Sequence, residues 1–228
     1  MTGKFLDYVY AGIGAQQFNS LEGGFETRLI VLRPLEIQSR SRDKINIRYY
    51  STDESLSKSF RIYTDPSDLS REIVIPKGRY SWNEARINLS TGGHRKLAGS
   101  FSYRVGNFYN GEREQISSNI TWRPTKYFTF KLAYTYNDIE LPQGNFETRL
   151  TSLTTEIPFS TNLSWFNLVQ YDNISETVGL NSRLHWIQQD GREVFLVLNH
   201  NVSDLDRDNR FHSTLADLSL KVNYTFRF

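Results

Sequence analysis

Four histidines, His94, His185, His200 and His212, are the side chains of this sequence best suited to move a proton near neutral pH. They fall in separate segments, and none shows the HxxxH or HExxH spacing that would bring imidazoles together on one helix face. His212 is followed by Ser213, but no glycine or asparagine group surrounds the pair to orient a nucleophile. Asp204, Asp206 and Asp208 alternate as calcium ligands do, yet Asn209 and Leu215 stand where the loop needs its glycine and its glutamate. Cysteine is absent, which removes thiol chemistry, disulfides and thiolate-bound metals. No catalytic residue, metal site or cofactor is expected, so the chain is read as a non-enzyme.

The remaining reactive groups are charges. Twenty-seven basic and 25 acidic residues leave a net charge of +2 with neither sign in long runs, so nucleic acid is not an expected partner. Arg207 and Arg210, within the same loop as the aspartates, suit the phosphates of lipids or lipopolysaccharide. Other cations recur at every second position of apolar alternations. Phe128, Phe130, Leu132, Tyr134 and Tyr136 enclose Thr129, Lys131 and Thr135, while Leu97, Phe101, Tyr103 and Val105 enclose Ser100, Ser102 and Arg104. Val178, Leu180, Leu184 and Trp186 likewise enclose Asn181, Arg183 and His185, and Ile116, Ile120 and Trp122 enclose Gln115, Asn119 and Thr121.

A period of two is a strand with one apolar and one polar face. About twelve such strands are expected, near the ~10 residues of a tilted membrane strand. They cover approximately 5–18, 25–39, 43–52, 80–91, 97–108, 113–123, 127–138, 146–157, 161–173, 177–188, 192–201 and 214–228. No run reaches the ~20 apolar residues of a membrane helix. A mean hydropathy of -0.52 is still compatible with a membrane barrel, because only alternate wall residues meet lipid. The final strand is the most regular. Leu218, Leu220, Val222, Tyr224, Phe226 and Phe228 alternate with polar residues, an ending that resembles the C-terminal aromatic signal that outer-membrane barrels present to their assembly machinery. Tyr224, Phe226 and Phe228 are the signal residues.

Connections point the same way. If Phe228 lies at the periplasmic rim, the turns at 188–192, 158–162, 123–126, 90–96 and 38–43 fall on the periplasmic side and all are compact. The long connections 53–77 and 202–213 fall on the extracellular side. Trp122, Tyr127, Trp165 and Trp186 land near periplasmic strand ends, as an interfacial aromatic girdle requires. Pro34 interrupts the second strand and predicts a bulge or an edge. Residues 56–75 alternate around Asp65, Pro66 and Ser67, which predicts a small hairpin extending above the membrane within a 53–79 extracellular excursion. The repeated GFETRL at Gly24–Leu29 and GNFETRL at Gly144–Leu150 suggests Glu26 with Arg28, and Glu147 with Arg149, as neutralising pairs on the inner wall.

Several stretches resemble the uncharacterised family called domain of unknown function 5916: Ile73–Tyr80 (IVIPKGRY), Leu97–Tyr109 (LAGSFSYRVGNFY), Ile120–Pro124 (ITWRP), Tyr134–Leu150 (YTYNDIELPQGNFETRL), Leu168–Leu184 (LVQYDNISETVGLNSRL) and Glu193–Asn199 (EVFLVLN). Together they span most of residues 20–201. The resemblance implies an outer-membrane barrel domain at the C-terminal end of a longer exported protein, behind a module similar to family-9 carbohydrate-binding domains. Gln188 and Gln189 depart from the family's proline-containing turn. No counterpart of the carbohydrate module stands in this sequence, so sugar binding is not expected of the segment itself.

The expected fold is thus all-β, an antiparallel transmembrane β-barrel over 1–228 in a bacterial outer membrane, acting as anchor or channel. Arg104, Lys131, Arg183, Lys221 and Arg227 would face its lumen. Its expected partners are outer-membrane lipids and lipopolysaccharide, the barrel assembly machinery, and a carbohydrate through an upstream module. An outer-membrane hydrolase with a rim site and a soluble all-β binding module, whose apolar faces would meet in a dry core, are the competing readings.

Overall fold

Period-two alternation becomes strand throughout the computed structural model, which describes residues 5–21, 23–66, 68–204, 207–208 and 210–225. Among these residues there are fourteen strands and no helix. They are β1 (Leu6–Asn19), β2 (Phe25–Ser39), β3 (Lys44–Leu56), β4 (Phe60–Asp65), β5 (Asp68–Ile75), β6 (Gly78–Ser90), β7 (Leu97–Phe108), β8 (Gly111–Thr125), β9 (Phe128–Leu141), β10 (Gly144–Pro158), β11 (Leu163–Asp172), β12 (Thr177–Gln189), β13 (Arg192–Ser203) and β14 (His212–Tyr224). Twelve pair in chain order, β1-β2-β3-β6 and onward to β14, as an up-and-down antiparallel sheet, and β4 pairs with β5 apart from it. The all-β antiparallel architecture expected from the sequence is therefore the observed one. The strands divide between two compact units.

In the unit formed by 1–94, 99–118 and 135–148, register sorts residues by chemistry. One continuous rung reads Val9, Ile37, Ile45, Leu89 and Phe101, and another reads Ile13, Leu32, Tyr49, Ala85 and Val105. The intervening rung on the opposite face reads Tyr10, Glu36, Asn46, Asn88 and Ser102. The apolar rungs are uncovered: Val9, Ile13, Ile45, Leu89 and Phe101 are all exposed. Such a band is far larger than the isolated apolar side chains of a water-facing sheet. The dry interior of a sandwich is not formed here.

The core of this unit is small and lies elsewhere. Ile73 and Ile75 of β5 pack with Ile139 and Leu141 of β9 and with Phe146 of β10. Parity places Ile139 and Leu141 on the side of β9 that carries Asn137, whose amide donates to Thr148 Oγ1 (2.7 Å) on the Phe146 side of β10. The hairpin is present as predicted, but it is docked on the polar face of the strands rather than extending clear of them. Burying Ile73 and Ile75 is the driving force, since a free two-stranded hairpin is marginal in water. Pro34 sits where predicted too, in a register shift between Leu32 and Leu35 against β3. The inner-wall role for the repeated Glu and Arg pairs is corrected. Arg28 lies in one rung with Asp53 and Ser81, on the side of Ile30 and Leu32, and its ion pair (2.6 Å) is with Asp53, not Glu26. Glu147 and Arg149 share the parity of Leu153 on β10, not that of Phe146.

The second unit, 95–98, 119–134 and 149–228, repeats the two-faced pattern. Ile157, Trp165, Leu184, Leu196 and Leu220 make an apolar rung, with the last four exposed. The opposite face is mixed: Glu156, Phe166, Arg183, Val197 and Ser219 form one rung and Thr154, Leu168, Asn181, Asn199 and Asp217 the next.

Candidate functional site: an arginine ladder beneath the hairpin

On the polar face of the first unit, β3, β6 and β7 are paired so that Arg48, Arg86 and Arg104 stand directly opposite one another. The bulge that Pro34 produces in β2 puts Arg33 beside Arg48, because Leu32 pairs with Tyr49 and Leu35 with Ile47. Arg113 on β8 completes the group through Glu84. That carboxylate, 1% exposed, accepts from Arg104 Nη2 (2.7 Å) and from Arg113 Nε (2.9 Å) and Nη2. The indole of Trp82 lies 3.4 Å from its second oxygen. Gly106 is the residue opposite Glu84, and its backbone, at φ +148, lies so close to β6 that a Cβ would stand 2.4 Å from the Asn83 carbonyl oxygen.

The other guanidiniums have weaker company. Arg86 Nε donates to Ser102 Oγ (2.8 Å), and Arg104 lies over the Tyr50 ring (5.0 Å). The Nε atoms of Arg33, Arg48 and Arg104 are buried without a hydrogen-bond partner. Like charges directly across a sheet destabilise it, and a buried donor left unpaired adds to that cost.

An aromatic cluster ties the hairpin down toward the Leu56 and Gly78 ends of these strands. Tyr109 packs on Phe60 of β4, Tyr80 and Trp82 of β6, and Phe108 of β7, at centroid distances of 4.7 to 5.6 Å. Its hydroxyl donates to Glu54 Oε2 (3.1 Å). Burial first, then the adjacent Glu54 charge, raises the Tyr109 pKa above that of a free phenol. Tyr63 of the hairpin stacks on Phe146 (4.6 Å) in the same apolar cluster. A cavity of about 680 Å³ opens beside it, lined by residues that include Phe25, Glu26, Leu56, Lys58, Phe60 and Tyr109. Toward the opposite strand ends, Glu36 binds Lys44 (2.6 Å), Tyr8 (2.7 Å) and Asn46.

Of the lumen residues named from sequence, Arg104 alone lies in the ladder. Lys131 pairs with Glu156 (2.6 Å), Arg183 lies over Phe166 (5.4 Å), and Lys221 is opposite Phe195. All three are on the polar face of the second unit. Arg227, Phe226 and Phe228 lie outside the described residues. Tyr224 accepts from Arg192 Nη2 (2.6 Å). The girdle residues Trp122, Tyr127, Trp165 and Trp186 are 39 to 50% exposed; Trp122 stacks on Phe130 (5.5 Å), and Trp165 Nε1 donates to Ser182 Oγ (2.9 Å). Sequence reading missed Arg33, Arg48, Arg86, Arg113 and Glu84. Alternation assigns each to the polar side, but their meeting depends on pairing β3 with β6 across the hairpin excursion.

Ser213 contacts His200 (3.1 Å) across the β13–β14 pair, while His212 stands opposite Ser203. No carboxylate orients His200 among the described residues, and no group of three metal-ligating side chains occurs among them. Asp206 and Asn209 lie outside the described residues; the Asp204 carboxylate accepts from the Asp208 amide (3.1 Å).

No protein-family model and no curated protein matches this chain. A solved structure described as the CymD monoaromatic hydrocarbon channel is similar over 94% of this chain and 75% of its own, at 12% identity and a TM-score of 0.34. Likeness at that level carries no argument about function, which rests on the faces and clusters described above.

Proposed function

We propose that this chain is an outer-membrane β-barrel that serves as an anchor or channel without catalysing a reaction. The observation that carries the reading is the uncovered apolar face, rung after rung of exposed Leu, Ile, Val, Phe and Trp backed by a polar face. In water that arrangement is costly; in hydrocarbon it is required. Lipid also demands that every backbone group be paired, so the free edges of β1 and β14 would join and close the wall. Lipids and lipopolysaccharide would contact the apolar band, with Trp122, Tyr127, Trp165 and Trp186 at one interface. Tyr224 and the aromatic residues after it would engage the assembly machinery. Membership of the domain of unknown function 5916 family belongs to the same proposal, as does an upstream carbohydrate-binding module in the intact protein.

Within such a barrel the β4–β5 hairpin would occupy the extracellular mouth, favouring a stoppered anchor or gated channel over a permanently open pore. Electrophoresis of protein refolded in detergent tests the reading. A closed barrel should migrate faster unheated than boiled, and the protein should leave solution when detergent is withdrawn. A monomer that stays soluble in plain buffer, with heat-independent mobility, would refute it.

A further inference from the structure

We propose that the arginine ladder of β2, β3, β6, β7 and β8 is a binding site for a small multivalent oxyanion, a phosphate or a polycarboxylate. Register is the first support. Arg48, Arg86 and Arg104 occupy one rung, and Arg33 is brought beside Arg48 by the bulge. Side chains directly opposite in a sheet have Cβ atoms only about 5 Å apart. Guanidinium groups so placed repel one another unless an anion lies among them.

Charge balance is the second support. The rung on one side holds Glu36, Asn46, Asn88 and Ser102, with Glu36 its one charge, and the rung on the other holds Tyr50, Glu84 and Gly106. Glu84 is engaged by Arg104 and Arg113, Glu36 by Lys44, Tyr8 and Asn46, and Glu54 receives the Tyr109 hydroxyl. No ion pair neutralises Arg33, Arg48 or Arg86 among the described residues. The buried, partnerless Nε atoms of Arg33, Arg48 and Arg104 are the third.

The planar fork of guanidinium matches the oxygens of carboxylate and phosphate, whereas halide offers it no second acceptor. The neighbouring Asn88 amide and Ser102 hydroxyl add neutral donors of the kind that hold a hydrated oxyanion. If the polar face lines a lumen, as proposed above, the same ladder would favour anions in transit. The binding site itself does not need that reading.

Inorganic phosphate is the probe. Titrated calorimetrically into the folded full chain at constant ionic strength, it should bind the wild type and bind Arg48→Gln/Arg86→Gln at least tenfold more weakly, with Arg183→Gln unchanged. Phenylglyoxal labelling of the wild-type protein, read by mass spectrometry, avoids any folding defect of the variant. Phosphate should slow modification of Arg48 and Arg86 severalfold while Arg183 reacts at the same rate. Equal binding by all three proteins, or equal labelling with and without phosphate, would overturn the site. A heat-modifiable band with no phosphate effect would remove the site and leave the barrel; phosphate binding by a protein soluble without detergent would do the reverse.

Discussion

Glu84 ties the ladder to β8 because, among the described residues, it is the carboxylate shared by two of its arginines, Arg104 and Arg113. Glu84→Gln keeps the shape of the side chain and removes its charge, which leaves partly buried guanidiniums facing each other. Loss of one partner from a buried pair typically costs about 3–5 kcal/mol, and the partial exposure of both arginines argues for about 3. Urea unfolding of the variant in detergent should show that drop, and phosphate added to the buffer should restore part of it. Tyr109 makes a prediction in pH. Its folded pKa is raised, so its contribution to stability is intact below the free phenol value of about 10 and is lost as pH rises through the folded value. Tyr109→Phe should flatten that alkaline decline. Unfolding midpoints of both proteins between neutral and strongly alkaline pH would check it.

The β4–β5 hairpin is the element whose role changes most between sequence and structure. Its alternation was readable from Phe60 and Ile62 and from Ile73 and Ile75, but alternation is equally satisfied by a hairpin in solvent. Docking depends on what Ile73 and Ile75 meet, and these partners, Ile139, Leu141 and Phe146, are far away in the chain. Ile75→Asp places a charge where exposure is 0% and should undock the hairpin without disturbing the strands. Limited trypsin digestion of the folded variant should then cut at Lys58 and Lys77 while the wild type resists. Should the proposed barrel conduct ions, the same variant should show a larger single-channel conductance in a planar bilayer. β2 shows a contrasting case. A proline in a paired strand leaves few conformations open, so the bulge was legible locally; that it carries Arg33 to the ladder was not.

For the molecule as a whole, the decisive property is which medium covers the apolar face. Leu196, in the rung with Trp165, Leu184 and Leu220, tests it. Leu196→Arg should cost about 2–4 kcal/mol in a bilayer if that rung lies near the midplane, whereas an exposed leucine in water would tolerate the change within about 0.5 kcal/mol. Ser219→Arg, on the opposite face, should be nearly neutral in either medium. Refolding yield and urea titration in lipid vesicles would distinguish the two outcomes.

Residue order alone determined where most strands run and which residues of a strand share a side, because parity is a local consequence of backbone geometry. Phe25–Ser39 and Leu97–Phe108 were readable to the residue, and the compact turn at 190–191 falls within the range expected, whereas β8 runs on to Thr125 and moves its turn to 126–127, overlapping the expected 123–126 at one residue. Register was beyond it. Hydrogen bonding between β3 and β6, separated by the hairpin excursion, decides that three arginines share a rung and that Glu84 is enclosed among them. Only the folded sheet could also leave the aliphatic and aromatic rungs bare, since burial depends on what the rest of the chain does or does not lay over them.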